Sequence, residues 1–227
     1  MDRKSGGRRF EPDRGLQGED PRSVTTGGFD VYGRSDAAGT PGVGSGGVRV
    51  AGDLQFRWEL SGSGGVTYRI ADGTSEHETY IGYCTDALAD LLYAMTGLYG
   101  NSSGERFSFD RESMETRWLL RRQGTDVAIA VFEFPDGGTS WGSADETGGT
   151  LLWRSVQPRG VLCHAVVEAA DAVLREHGEA GYLEKWMRHP FPVAALQDLQ
   201  RLHRREDGCR HERCRKGIGP TSNGTVP

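Results

Sequence analysis

Tyr83-Cys84-Thr85-Asp86-Ala87-Leu88-Ala89-Asp90-Leu91-Leu92 is the point where this chain changes its period. Upstream of it, apolar and polar residues alternate. From Leu88 on, the apolar residues recur every three or four positions. Leu88, Leu91, Leu92, Met95 and Tyr99 fall at i, i+3, i+4, i+7 and i+11, one stripe on a helix over 85–99. Thr85 suits the N-cap, Asp86 sits where the helix dipole favours an anion, and Gly100 supplies the stop. The stripe reads as a core face, with Ala89 and Asp90 nearer solvent.

Three strands precede this helix. Leu54, Phe56, Trp58 and Leu60 alternate with Gln55, Arg57 and Glu59, a strand with one wet face. Val66, Tyr68 and Ile70 alternate again after a Gly/Ser turn. Asp72-Gly73 is a hairpin signal, and the chain returns over 75–81. Three more strands follow the helix. Phe107 and Phe109 mark the first. Thr116, Trp118 and Leu120 alternate with Arg117, Leu119 and Arg121 in the second. Val127 to Phe134 is the most apolar and is expected to be central, with both faces covered. Thr150 to Trp153 is a short strand or the entry to a helix from about Pro158 to His177, whose stripe is Leu162, Val166, Ala169, Ala170, Val173 and Leu174. Gly178 closes it, a short helical turn follows over 182–186, and a last helix begins after Pro192 with an edge of Leu196, Leu199 and Leu202. The order β-β-β-α-β-β-β-α-α predicts an α+β fold: a mainly antiparallel sheet with helices packed on one face.

Composition sets the boundaries. Residues 1–53 hold 13 of the 34 glycines and lack paired apolar positions, so they read as a disordered leader typical of a GC-rich genome. One domain is expected over 54–205, followed by a disordered polar tail over 206–227. The domain carries 15 basic against 21 acidic residues within a chain of net charge −5. That balance disfavours nucleic acid, which calls for a basic face. No stretch approaches the roughly 20 apolar residues of a membrane span, and no signal-peptide pattern opens the chain. A cytoplasmic location is the default, with no membrane partner.

Chemistry-bearing residues are few. Gly-x-x-x-x-Gly-Lys-Ser/Thr, Gly-x-Gly-x-x-Gly after a strand, His-Glu-x-x-His and Gly-x-Ser-x-Gly are all missing. Glu133 breaks the pattern of the most apolar strand. It is in phase with Val127, Ile129 and Val131, so if that face is the core it is a buried carboxylate that Arg117 or Arg121 could pair across the strand; the alternative is that the strand end has already left the core. Cys209-x-His211-x-x-Cys214 is a cluster of soft ligands with His203 the nearest extra donor. It lacks the fourth ligand of a closed zinc site and reads as a solvated tail, so no metal or other cofactor is expected. Glu76-His77-Glu78 reads as a surface strand, because His77 points away from its acidic neighbours. His164 and Glu168 share a helix face and read as an exposed pair. Cys84 and Cys163 read as small buried hydrophobes. Trp141, in the Gly/Ser/Asp-rich loop over 135–149, is either a binding anchor or a lid on its own domain.

Four segments carry a resemblance. Arg57-Trp58-Glu59-Leu60-Ser61-Gly62-Ser63-Gly64, Tyr68-Arg69-Ile70-Ala71-Asp72-Gly73, the helix opening Thr85 to Leu92, and Gly178-Glu179-Ala180-Gly181-Tyr182-Leu183-Glu184-Lys185-Trp186 resemble a family of bacterial proteins found mostly in GC-rich actinobacteria. It spans about residues 54–204. Its motifs are structural punctuation, and it implies neither an activity nor catalytic residues. The function expected from the residues is therefore that of a non-catalytic accessory or immunity-like domain that binds another protein. The alternatives are an enzyme using Glu133 in a cleft, and a nucleic-acid-linked regulator. A deep cleft with convergent titratable groups would point to site chemistry, and a flat patch of exposed aromatics to docking.

Overall fold

Alternation and the helical stripe both carry through to the three-dimensional structure, a computed structural model that describes residues 54–210 apart from Ser63, Glu112 and 136–147. All of these lie within one unit, Gly47–Pro227. The expected leader over 1–53, most of the tail, Trp141, His211 and Cys214 fall outside the described residues.

The elements run β1 (Gln55–Leu60), β2 (Gly65–Ala71), β3 (Glu76–Gly82), α1 (Ala87–Gly97), β4 (Gly104–Asp110), β5 (Glu115–Gln123), β6 (Asp126–Phe134), β7 (Thr150–Pro158), α2 (Arg159–Trp186) and α3 (Val193–Asp207). The fold is α+β, and its strands form two antiparallel meanders rather than one sheet: β1-β2-β3 and β4-β5-β6-β7. The division falls where α1 interrupts the chain, since a helix between β3 and β4 removes the tight turn that would pair them.

Aromatic side chains join the inner faces of the two sheets. Phe56 and Tyr68 of the first meet Trp118 of the second, and Trp58 packs edge-on to Phe109. The Trp118 indole N–H donates to the Tyr68 hydroxyl at 3.2 Å, so the two buried polar atoms satisfy each other. α1 packs along β4 and against α3, while α2 lies along β1 and also against α3. Leu88, Leu91, Leu92 and Met95 are fully buried, as the stripe predicts.

Several details depart from the expectations. Asp86, not Thr85, occupies the N-cap of α1, and Ala89 is buried rather than near solvent. Tyr93 instead carries the exposed face. Cys163 is buried but Cys84 is exposed, since it precedes the helix in a turn. β6 is an interior strand, but Ala128, Ala130 and Phe132 on its second face are only partly buried. α2 is two helices joined at Gly178, whose φ of 64° is accessible to glycine and strained for other residues. Helix α3 runs to Asp207, past the end of its apolar period, because Asp207 is held by polar bonds rather than packing. No helix among the described residues is long and apolar enough to cross a membrane.

Candidate functional site

Glu133, the candidate for buried chemistry, is not a buried carboxylate. Glu133 lies at the end of β6 opposite Thr116, half-buried, and its carboxylate accepts from the Arg111 guanidinium at 2.5 Å. Neither Arg117 nor Arg121 reaches it. Arg117 is one residue out of phase with Thr116, so it projects from the other face of the sheet. Arg121 is opposite Ala128, five residues or about 17 Å along the strand from Thr116. A partly exposed pair contributes roughly 0–1 kcal/mol. Glu133→Gln is expected to shift stability by less than about 1 kcal/mol in a thermal or urea melt; a larger loss would restore it as a buried determinant.

Arg117 has a different partner. Its guanidinium makes a two-point bond to Glu115, at 2.7 and 3.0 Å, with both side chains at 2% exposure or less. The Ser108 hydroxyl donates to the same carboxylate, and the Phe134 ring stacks against Arg117 at 4.1 Å. This is a structural pair held under an aromatic cover.

The titratable residues that do converge come from α2 and the end of α3. Val161, His164, Ala165 and Glu168 form a second stripe on α2, adjacent to its core stripe, and line a groove of about 720 Å³ whose opposite wall is Leu54 with Gln55, Phe56 and Arg57 of β1. His203, Asp207 and Cys209 close its head. On α3, His203 and not Leu202 continues the buried phase of Leu196 and Leu199, and it is 3% exposed. That phase was the one sequence signal for the site, a histidine at a core position of an amphipathic helix.

His203 Nδ1 lies 3.0 Å from the Asp207 carboxylate, and the Tyr99 hydroxyl donates to the same oxygen at 2.5 Å. The Arg159 guanidinium binds the other carboxylate oxygen at 2.6 Å and stacks over the Tyr99 ring. Burial opposes ionisation of Asp207, but the bonds from Tyr99, Arg159 and His203 outweigh it and hold its pKa below the usual carboxylate range. Burial raises the pKa of the Tyr99 phenol, and the nearby Cys163 and Asp207 raise it further. Cys163, also in this group, is pushed up to about 12 by burial, so it is a thiol and not a nucleophile. Asp207 thus engages the Nδ1 side of His203 and leaves Nε2 as the ring nitrogen facing away from it. That Nε2 is buried and has no hydrogen-bond partner among the described residues.

His164 stands beside it, the two imidazole rings 5.6 Å apart. His164 Nδ1 is 3.6 Å from Cys209 Sγ, and its Nε2 is 3.6 Å from the Glu168 carboxylate. The donor atoms of His164, His203 and Cys209 all fall within 4.8 Å of one another. Thus Cys209 belongs to a cluster of soft donors, but its described companions are two histidines from helices rather than its tail neighbours. The His164–Glu168 pair forms as expected, on the groove wall. His77 rests half-buried against Tyr68, with Glu76 and Glu78 exposed, in keeping with a surface strand.

Comparison with protein-family models, with curated proteins and with solved structures gave no match. Any role for the groove therefore rests on its own geometry.

Proposed function

We propose that this domain binds a small molecule in the groove between β1 and α2, with His164 and Glu168 as the ionisable groups that meet it. One observation carries the reading: His164 and Glu168 of α2, His203 and Asp207 of α3, Cys209 just beyond it and Arg57 of β1 all line a single concavity. A volume of about 720 Å³ falls in the range of small-molecule sites, roughly 300–1,000 Å³. Its walls mix apolar groups, Leu54, Phe56, Val161 and Ala165, with polar ones, Gln55, Arg57, His164 and Glu168, and its head is polar, so it offers both apolar contact and orienting groups. By the criterion of a cleft against a flat patch, this favours site chemistry over docking. The large exposed apolar side chains support docking less well, because Tyr80, Tyr93, Leu151, Val156, Leu183 and Met187 come from β3, α1, β7 and the end of α2.

A thermal-shift screen of small organic acids, amines and nucleosides, run in chelator, tests this. A ligand at about 100 times its Kd adds roughly 2.7 kcal/mol, or about 5–10 °C for a domain of this size. Ala165→Trp fills the groove, and it is expected to abolish the shift while leaving the far-ultraviolet circular dichroism unchanged. A screen without hits, or hits that persist in Ala165→Trp, would overturn the proposal.

A further inference from the structure

We propose that His164, His203 and Cys209 bind a zinc ion at the head of the groove. The inference goes beyond ligand binding by the groove and stands without it.

Three independent observations support this. The first is spacing. A tetrahedral zinc with bonds of about 2.0–2.3 Å sets its donors roughly 3.3–3.8 Å apart. His164 Nδ1 and Cys209 Sγ already stand at 3.6 Å, and the remaining separations are within 4.8 Å. The second is His203 Nε2, a buried ring nitrogen that has no hydrogen-bond partner among the described residues, on a side chain whose donor atom lies within 4.8 Å of the other two. An unsatisfied buried polar atom is costly, and a metal ion would satisfy it. The third is the outer arrangement. Each histidine turns its other nitrogen toward a carboxylate, His203 Nδ1 to Asp207 at 3.0 Å and His164 Nε2 to Glu168 at 3.6 Å. Ligating histidines are typically oriented this way, because the carboxylate fixes the tautomer and raises the basicity of the ligating nitrogen.

The donor set selects the metal. Two imidazoles and a thiolate are borderline-soft ligands, which suit zinc and are poor for magnesium or calcium. Catalytic zinc keeps three protein ligands and an open position, whereas structural zinc is closed by four, and the described residues supply three. On binding, the Cys209 thiol gives its proton to solvent and no electron moves. Arg159 and Tyr99 take no part in coordination. They anchor Asp207 and so position His203. Cys209 lies directly after α3 because Gly208, at φ 64°, turns the chain back toward α2.

Cobalt(II) titration of the full chain, stripped of metal and reduced, reads the site directly. Visible d–d bands and a near-ultraviolet thiolate-to-cobalt charge-transfer band are expected, saturating at one equivalent, and zinc should bleach them. Cys209→Ser is expected to remove the charge-transfer band. His164→Gln is expected to abolish the one-to-one end point while keeping the wild-type circular dichroism, since His164 is partly exposed. His203→Gln should do the same, with His164→Gln the deciding variant if it unfolds. His211→Gln and Cys214→Ser test a site made by the tail alone, and both are expected to retain the d–d and charge-transfer bands. No charge-transfer band in the wild type would refute the site. So would its loss in His211→Gln or Cys214→Ser while His164→Gln keeps it.

Discussion

Leu91→Asp is expected to abolish the cooperative unfolding transition of this protein. Leu91 is fully buried on the face of α1 that meets β4 and α3, among Leu88, Leu92 and Met95. An aspartate there loses the packing of a whole leucine and leaves a carboxylate without a partner in an apolar site. Truncation to alanine alone costs about 2–5 kcal/mol. An uncompensated buried polar group adds to that, and a domain holds only about 5–15 kcal/mol in total. The folded state should therefore be lost at 25 °C, read as a flat thermal melt and collapsed near-ultraviolet circular dichroism. Tyr93→Asp, two residues on, is the contrast. Tyr93 is 61% exposed, and its replacement should change stability by less than about 1 kcal/mol. Equal damage from the two would mean that α1 buries a different face.

The second large effect is expected at the Glu115–Arg117 pair. Glu115→Ala removes a carboxylate that accepts two bonds from Arg117 and one from Ser108, inside a site with almost no water access. The buried Arg117 guanidinium then loses its two-point carboxylate bond. Removing one partner of such a pair costs about 3–5 kcal/mol. The double variant Glu115→Leu/Arg117→Met should recover most of that loss, because replacing both charges by apolar groups of similar volume also removes both desolvation costs. A double-mutant cycle by urea denaturation measures this. If the double variant is as unstable as the sum of the singles, the pair is not coupled and the penalty comes from lost volume.

The same pair shows where reading the chain alone stops. Glu115 and Arg117 are two apart on a strand and so share a face, which is legible. That this face is buried is not legible, because Trp118, Thr116 and Leu120 mark the other face as the core. Phe134, seventeen residues later on β6, covers it. Glu133 fails for a related reason. Its phase in β6 was read correctly, but Arg111, its actual partner, lies in the turn before β5, where strand periodicity says nothing.

Local pattern determined most of the architecture. Two-residue alternation placed the strands, the 3.6-residue stripe placed α1 and α2, and glycines at 73 and 178 marked real turns, because each depends only on neighbours within a few positions. The α+β class followed from the order of elements. Tertiary structure alone decided that the strands divide into two sheets facing each other through Trp118, Tyr68 and Trp58. It alone brought His164 beside His203 and Cys209, up to 45 residues away, and tied Asp207 to Tyr99 and Arg159. Each of those residues has an ordinary local explanation, as an exposed helix pair, a helix end or a tail cysteine. Their common site exists because α2 and α3 pack against each other, and helix packing is set by the whole apolar surface of the domain rather than by spacing along the chain.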